Sequence, residues 1–419
     1  MSTTRILSEM SLRFLESVGN SIDVRGGFRV ISLRLISSVE SDETIEIPDI
    51  LNSPESLQFC GLSIEASQRV FQKWSGDQQN TTPGQLGYGQ DIIEVACQYI
   101  SGMARTADAF SASDDWNQAL HTQGIKDATR LRIMDPEFRH LRLSASASEW
   151  ALDTLNLAWE YLDGLDERLK REKKEKDVRS PSPDASVKPS KAINPPTLTS
   201  ALYSESSSSK LAVEVEPPMQ VPGRSIFYKG GAWTRLISIF QSDGSLNLTD
   251  IISRPPCDFH PTSLDLYFTK QLDVAKAYAD YAQNRVPVQP ATIMTVAVPA
   301  DFLSSAREVF GTDWKKLVWY SGNLNALMQV GGILPNELKE YEKAEVLVGD
   351  ICSQSSKVIR KKVSKWDDLE IIVTKLGNKA SQIALRGSGM LERFKKECRG
   401  YVWVGTVASP DKAKYFPPA

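Results

Sequence analysis

Histidine and cysteine are scarce in this 419-residue chain, and long apolar runs are absent from it. Because only three histidines occur, we expect neither a histidine-based metal site nor a Ser-His-Asp triad. The five cysteines are odd in number and widely spaced, so they match neither a disulfide framework nor a zinc site. Free thiols are typical of a reducing compartment. The sequence therefore predicts an intracellular protein of the cytoplasm or nucleus, without a metal.

Membrane and secretory signals are also lacking. No uninterrupted apolar run reaches the roughly 18 residues that a membrane-spanning helix needs. The first thirty residues carry charges throughout, unlike the apolar centre of a secretory signal. Lysine and arginine number 49 against 52 acidic residues, so the formal net charge of −3 is not that of a nucleic-acid binder. We expect no membrane partner.

A Ser- and Pro-rich stretch interrupts the chain between residues 178 and 222. It has few large apolar residues and cannot bury enough surface to offset its conformational entropy, so we expect a disordered linker. The linker separates a mainly helical region, residues 1–177, from a mixed region, residues 223–419. The sequence therefore predicts two domains in an α+β protein.

The helical region shows apolar residues at helical spacing in two segments, 92–103 and 150–169. The second helix runs on into a mixed-charge segment, in which oppositely charged neighbours stabilise a solvated helix end. Residues 28–39 are rich in β-formers, and either a hairpin or packing on the helices would suit them. No catalytic pattern occurs before residue 178, so we expect an interaction or regulatory domain.

The mixed region has the pattern of short strands with helices between them. A helix is predicted over residues 271–285, directly after a short strand at 265–269. The other predicted strands are RSIFYKGG from residue 224, which ends in a tight turn at its double glycine, ATIMTVAVP from 291, LVWYSGN from 317, AEVLVGDI from 344 and GYVWVGTVAS from 400. The absence of a Gly-rich phosphate loop and of regular βαβ spacing favours α+β over a doubly wound sheet.

Three of the predicted strands carry motifs in a recognisable order. Residues 228–230 read Tyr-Lys-Gly, residues 266–269 read Leu-Tyr-Phe-Thr, and residues 345–348 read Glu-Val-Leu-Val. This order resembles that of the ADP-ribosyltransferase superfamily, whose strands carry His-Gly or Arg-Gly, then Ser-Thr-Ser or Tyr-Phe, then a glutamate. The tyrosine motif is similar to the His-Tyr-Glu branch, and the glutamate strand to the Arg-Ser-Glu branch. The resemblance covers the C-terminal region only.

The resemblance implies a split β-sheet domain over residues 223–419 and NAD as the substrate. Cleavage of the nicotinamide–ribose bond passes through an oxocarbenium-like state, as glycoside hydrolysis does, and a carboxylate stabilises that state. Glu345 is implied as this catalytic carboxylate, and Tyr267 as a platform for the nicotinamide ring. The implied NAD-binding residues are Tyr228, Lys229, Gly230, Tyr267, Thr269 and Tyr278.

Two lysines depart from the family pattern. Lys229 stands where the family has histidine or arginine, and it supplies charge for a phosphate without the bidentate fork of arginine. Lys343 precedes Glu345 by two residues, where arginine-modifying members have Glu or Gln, so modification of arginine is disfavoured. The implied function is a mono-ADP-ribosyltransferase or an NAD glycohydrolase. The alternative is a catalytically inactive relative that acts as a binding or scaffold protein.

Positive charge is concentrated between residues 357 and 399, where twelve Lys and Arg oppose five acidic residues. Such a segment can recruit an acidic partner or nucleic acid, or it can be an ordinary solvated face. Aromatic residues are sparse in it, which favours the solvated face over a single-strand binder. The sequence does not identify a protein or nucleic-acid acceptor for ADP-ribose.

Overall fold

The computed structural model describes residues 4–18, 24–32, 44–80, 90–107, 115–179, 217–374 and 377–407. Within these ranges the chain is an α+β protein, as predicted, and helices dominate before residue 180. Most of the predicted linker, residues 180–216, lies outside the described part. None of the described helices combines the length and the apolar character needed to cross a bilayer.

Helices make up most of the N-terminal half. They are α1 (Glu9–Ser17), α2 (Pro54–Cys60), α3 (Ile64–Asn80), α4 (Ile92–Ala107), α5 (Asn117–Thr122), α6 (Asp127–Ile133), α7 (Arg139–Leu143), α8 (Ala147–Asp163) and α9 (Leu165–Arg179). A small antiparallel sheet accompanies them, in the order β1 (Val24–Arg25), β2 (Phe28–Ser32) and β3 (Thr44–Pro48). The start of segment 28–39 thus forms the central strand of this sheet, and its remainder lies outside the described residues.

Helix α8 illustrates why these residues are helical. The Ser146 hydroxyl accepts a hydrogen bond from the Glu149 N–H, and the Glu149 carboxylate accepts one from the Ser146 N–H at 2.6 Å. The apolar residues of α8 recur every three or four positions and are buried among neighbouring helices. Gly164 ends this helix, so the single helix expected from residue 150 onward is in fact two, α8 and α9.

The C-terminal half alternates strands and helices. Its strands are β4 (Arg224–Ala232), β5 (Asp265–Phe268), β6 (Ala291–Pro299), β7 (Arg307–Val309), β8 (Val346–Asp350), β9 (Ser381–Arg386) and β10 (Val402–Thr406). Its helices are α10 (Trp233–Ile237), α11 (Leu272–Arg285), α12 (Asp301–Ser304), α13 (Gly311–Gly322), α14 (Leu324–Gln329), α15 (Lys339–Lys343), α16 (Ser356–Lys362) and α17 (Gly387–Glu397). The helix predicted from 271 and the strands predicted from 265, 291, 344 and 400 are therefore present.

These strands form two sheets that meet at β4 and β5. One sheet has the antiparallel order β10-β6-β4, and the other has the order β5-β9-β8-β7, in which only β7 and β8 are parallel. One backbone bridge, between Tyr228 and Thr269, links the sheets within the described ranges. Apolar side chains of both sheets share a core, and the ring centroids of Phe227 and Phe268 lie 6.1 Å apart in it.

One strand prediction is wrong, and another strand is present but ends later than predicted. The LVWYSGN segment lies in α13, where Leu317 and Val318 are buried together with Trp314, one helical turn earlier. A short apolar run without alternation does not distinguish a strand from a buried helix. The strand that begins at Arg224 does not turn at its double glycine, because it continues to pair with β6 as far as Ala232.

The two halves pack on each other through α8 and α11. One hydrophobic cluster contains apolar residues of α8 together with Ala282 and Val286. A second cluster joins Phe138 to Tyr281, whose hydroxyl donates to the Ile133 carbonyl at 3.0 Å. Helix α11 also packs against β4 and β6. The helical half therefore supports the helix on which β4 rests.

Candidate functional site

Several residues predicted from the motifs gather where β4 and β5 meet. The Tyr228 N–H donates to the Thr269 carbonyl at 2.7 Å, and the Thr269 N–H donates to the Tyr228 carbonyl at 2.9 Å. Beyond this pair, no further bridge joins β4 to β5 among the residues that the structure describes. The sheets therefore separate immediately after Tyr228, and the edge of β4 that follows has no neighbouring strand.

Gly230 lies on this open edge. Backbone groups of alternate residues in a strand point to the same edge, so the N–H and C=O of Gly230 point away from β6, as those of Tyr228 do. No hydrogen bond joins either group of Gly230 to another described residue. The residue is half-buried. A backbone donor and a backbone acceptor thus stand side by side, unused by the fold.

The other side of Gly230 touches α11. A Cβ atom built on Gly230 would lie 1.7 Å from the Ala275 carbonyl oxygen and 2.9 Å from the Ala279 nitrogen. Any side chain would push the helix off the strand, so packing alone requires glycine here. A Cβ on Gly231 would meet only Leu236 side-chain atoms, at 3.7 Å, which is an ordinary contact. The two adjacent glycines therefore have different reasons to be present.

Lys229 reaches across the gap between the sheets. Its ammonium donates a hydrogen bond to the Tyr267 carbonyl at 3.2 Å. Burial, together with the nearby charge of Arg235, lowers the pKa of Lys229 to about 8. At neutral pH the side chain is therefore a cation held at the junction of the two sheets.

Both parts of the Tyr267 side chain are anchored within the protein. Its hydroxyl donates to Asp265 at 2.9 Å, and its ring packs beside Phe259, with 6.0 Å between ring centroids. Asp265 is fully buried and also pairs with Arg386, with 3.4 Å between Oδ1 and Nε. Burial raises the pKa of Tyr267 well above its usual value. These contacts fix the ring against the core that α13 helps to form.

Thr269 and Tyr278 are the remaining predicted NAD contacts. The Thr269 hydroxyl accepts from the Gln271 N–H at 3.0 Å, in the turn that leads into α11. Tyr278 belongs to a different cluster, beside Phe138 of the helical half, and burial raises its pKa. The structure thus brings Tyr228, Lys229, Gly230 and Thr269 together, and it places Tyr278 elsewhere.

Glu345 lies at a distance from this group. It precedes β8, its side chain is exposed, and its carbonyl accepts from the Arg386 N–H at 2.9 Å. Strand β9 lies between β5 and β8, so Tyr267 is two strands away from Glu345. Tyr267 is in register with Ala384 of β9 and Leu347 of β8, and Glu345 precedes Leu347 by two residues along the strand direction. Standard strand spacing then puts their Cα atoms about 12 Å apart, on the same face of the sheet.

Strand β9 was not predicted from the motifs, and one of its residues lies beside Thr269 in the sheet. Continuing the β5–β9 register by one residue sets Gln382 opposite Thr269. The Gln382 amide donates to the Asp258 carboxylate at 2.6 Å. Burial raises the pKa of Asp258 to about 6, and the charge of Asp265 adds to the effect. The side chain beside Thr269 is therefore an amide, tied to a buried carboxyl group.

The basic segment 357–399 does not form one uniform surface. Arg386 is buried against Asp265, and Arg393 pairs with Asp301 and Glu397. These side chains are engaged within the protein. A group of exposed basic residues lies on α16 and just after it, at Arg360, Lys361, Lys362 and Lys365.

Comparison with known proteins gives no relative. No protein-family model matches the chain, and no curated protein or solved structure is significantly similar to it.

Proposed function

We propose that residues 217–407 form an ADP-ribosyltransferase-like domain that binds NAD at Gly230 and does not cleave it. The order of the three motifs and the separation of the sheets at Tyr228 support this fold assignment. The open backbone edge at Gly230 is the observation on which the binding proposal depends.

The nicotinamide group of NAD complements this edge. A carboxamide has an acceptor oxygen and an adjacent N–H₂ donor, and the edge offers an N–H and a C=O on one residue. In the proposed complex, the Gly230 N–H donates to the carboxamide oxygen, and the Gly230 C=O accepts from the carboxamide nitrogen. Unpaired backbone groups beside a hydrophobic core favour a ligand that satisfies both. The Lys229 ammonium supplies positive charge for the pyrophosphate.

The position of the carboxylates argues against cleavage. A carboxylate stabilises an oxocarbenium-like state only when it is held against the reacting ribose. Glu345 is separated from the β5 strand by the whole width of β9. The nearer position on β9 holds Gln382, whose neutral amide cannot provide the required negative charge. We therefore infer that the domain is a binding module.

One observation favours the second candidate, an NAD glycohydrolase or mono-ADP-ribosyltransferase that uses Glu345. The Glu345 side chain is exposed and projects from the same face of the sheet as Tyr267. This candidate differs from the first in one measurable property, the release of nicotinamide.

The test combines binding and turnover on the full-length protein. NAD and free nicotinamide should each slow deuterium uptake in the peptide that contains Gly230, and calorimetry should detect NAD binding. Nicotinamide release from NAD should be no faster with the protein than without it, and equally slow with Glu345→Gln. Because Glu345 is exposed, this substitution should change the free energy of unfolding by less than about 0.5 kcal/mol.

Two results would decide against the proposal. Absence of NAD binding, with no protection around Gly230, would remove NAD from the function of this domain. Nicotinamide release by the wild type that falls about 10²–10³-fold in Glu345→Gln would instead establish the enzyme, since losses of this size follow removal of one preorganised electrostatic group.

A further inference from the structure

Strand β10 is the outer strand of its sheet, on the side opposite to β4. It pairs with β6, and no other strand lies beside it within the residues that the structure describes. The Tyr401 carbonyl accepts a hydrogen bond from the Ala297 N–H at 2.9 Å, and the Val407 N–H also donates to β6. Backbone groups of alternate residues point to the same edge of a strand. The odd-numbered residues from 401 to 407 therefore face β6, and the even-numbered residues face outward.

The outward edge of β10 has hydrogen-bonding groups that the fold does not use. Val402, Val404 and Thr406 each direct one N–H and one C=O away from β6. None of these six groups is hydrogen-bonded to another residue in the described ranges. The side chains of Val402 and Val404 are buried in the core, so the fold holds the strand in place while its outward edge stays unpaired.

This edge lacks the features that ordinarily keep an outer strand from pairing. Charged residues, proline and bulges serve that purpose in other proteins. Residues 400–408 contain no Asp, Glu, Lys, Arg or Pro, and β10 pairs with β6 without a bulge from Val402 to Thr406. An unprotected strand edge of this kind is suited to pairing with a further strand.

Gly405 leaves open space on one face of β10. It is paired in register with Ile293, and a Cβ atom built on it would meet nothing within 4 Å apart from its own chain neighbours. Internal packing therefore does not require glycine here, although glycine weakens the interior of a strand. Glycine in a strand often marks a place where another backbone or a ligand approaches closely.

The outward edge is complementary to itself. In an antiparallel pair of two copies centred on Val404, this residue lies opposite its own equivalent, and Val402 lies opposite Thr406 of the other copy. Each of the six outward groups then has a partner. A register shifted by two residues would pair only two of the three outward residues within the strand. The backbone alone thus favours one two-fold arrangement.

The side chains fit in the same register. Trp403 lies opposite Gly405 of the other copy, so its ring covers the open space above the glycine, and the symmetry makes this contact twice. Trp403 is half-buried in the single chain, so pairing can bury it further. Arg399 precedes the strand and would lie roughly 30 Å from its own equivalent, because ten residue steps separate the two along the paired strands. No like charges therefore meet in the pair.

We propose that two copies of this chain associate through the outward edge of β10 and form one continuous sheet of six strands. Any extended peptide can satisfy the backbone groups, but a second copy also places a tryptophan over each exposed glycine. Pairing of two five-residue strands is small beside the roughly 1,200–2,000 Å² of stable interfaces, so the dimer is weak and reversible. Strand β4 is the other outer strand of this sheet, so the dimer leaves the Gly230 edge open.

The test measures self-association of the full-length protein by sedimentation over a range of concentrations. The wild type should show a monomer–dimer equilibrium, and deuterium uptake in the peptide that contains residues 402–407 should slow as the concentration rises. Gly405→Lys should weaken the dimer about tenfold or more, because the new side chain occupies the place of Trp403 in both contacts. Its melting temperature at low concentration should not change, since the side chain meets open space in the monomer.

A second variant acts on the backbone. Thr406 is exposed and its N–H points outward, so Thr406→Pro removes no hydrogen bond within the described protein and should weaken the dimer by a similar factor. The matched control is Gly102→Lys on α4, where the glycine is also exposed and a Cβ also meets open space. It adds the same charge and should leave self-association unchanged.

Three results would overturn the proposal. The wild type could stay monomeric at every concentration, with rapid deuterium exchange in residues 402–407. Protection of these residues that does not depend on concentration would show that a segment of the same chain covers the edge. A dimer that persists in both Gly405→Lys and Thr406→Pro would place the interface on another surface.

Discussion

The contact between α8 and α11 and the open edge of β4 place polar groups in opposite situations. In the contact, Asp153 lies between two cations, with 2.6 Å from Oδ1 to Arg235 Nη1 and 2.7 Å from Oδ2 to Arg285 Nη2. At the edge, the N–H and C=O of Gly230 have no partner among the described residues. The two places lie on either side of α11. The difference teaches that side chains answer most of the polar groups in the contact, whereas the edge leaves a backbone donor and acceptor that a ligand can satisfy.

The contact between α8 and α11 contains polar as well as apolar side chains. Nearly all of its polar groups form hydrogen bonds or ion pairs. Arg285 also donates to the Thr154 hydroxyl at 3.0 Å, and the Gln289 amide donates to the Leu157 carbonyl at 2.7 Å. Hydrogen bonds that cross from one half to the other make the halves depend on each other for stability. We therefore expect them to unfold together.

The largest expected effect is that of breaking this contact with Asp153→Ala. The substitution leaves the buried Arg285 without its carboxylate, and an uncompensated buried charge costs about 3–5 kcal/mol. Chemical denaturation should show this loss in a single transition for both halves. Asp163→Ala is the matched control, since Asp163 is an exposed residue at the end of the same helix and should contribute less than about 0.5 kcal/mol.

The pH dependence of the same variant provides an independent check. In the wild type, the positive charges of Arg235 and Arg285 outweigh the effect of burial and lower the pKa of Asp153 to about 2, from an ordinary value near 3.8. The carboxylate therefore stabilises the protein fully above about pH 4, and this contribution is lost as the pH falls through 2. Wild type and Asp153→Ala should differ most at neutral pH and converge in acid. A constant difference would show that lost packing, not charge, is the cause.

The next largest effect should come from adding one methyl group to the strand. Gly230→Ala places a Cβ 1.7 Å from the Ala275 carbonyl oxygen, far inside van der Waals contact, and should cost about 2–3 kcal/mol, because neither strand nor helix can yield without losing contacts. Gly231→Ala should stay within about 0.5 kcal/mol, since its new methyl group makes only ordinary contact with Leu236. Thermal unfolding of the two variants tests the comparison, and equal losses would contradict the close approach of α11.

Local patterns predicted much of this fold. Helix α11 follows from the helical spacing of its apolar residues, and β6 from a run of β-branched and other apolar residues that Pro299 closes. The pattern failed at Leu317 and Val318, because a short apolar run without alternation fits a strand as well as the buried face of a helix. It also missed β9, a six-residue strand whose order between β5 and β8 no local feature specifies.

The candidate site was predictable only where it depends on segments with a clear local pattern. Tyr228, Lys229 and Thr269 meet because they belong to two strands with clear patterns. The contact between Asp258 and Gln382 joins residues far apart in the chain, and only the tertiary structure reveals it. The predicted partnership of Glu345 with Tyr267 depended on strand order, and the insertion of β9 separates the two residues.

The smallest expected effects concern Lys229. This residue precedes Gly230 on the open edge of β4, and it also lies near the charge of Arg235, which belongs to the contact. Its pKa in the folded protein is about 8, below the value of 10.5 that is ordinary for lysine. Between these two values the unfolded chain holds more protons at Lys229 than the folded protein does, so the stability of the unliganded protein should rise with pH in this window. Lys229→Met should remove that rise and should stabilise the protein by about 1 kcal/mol at pH 7, because a partly buried charge is removed. Denaturation at pH 7 and pH 10 measures both quantities.

The same titration should act on the ligand in the opposite direction. Below pH 8 the Lys229 ammonium attracts the pyrophosphate of NAD, and a single ion pair contributes on the order of 1 kcal/mol, or about fivefold in affinity. NAD binding by the wild type should therefore weaken about fivefold as the pH rises through 8, while free nicotinamide, which lacks phosphates, should bind equally at both ends of the range. Lys229→Met should bind NAD about as weakly at pH 7 as the wild type does at pH 9, with no pH dependence between. A variant that keeps the wild-type slope would show that another group titrates, and that Lys229 only holds Tyr267 and the two sheets together.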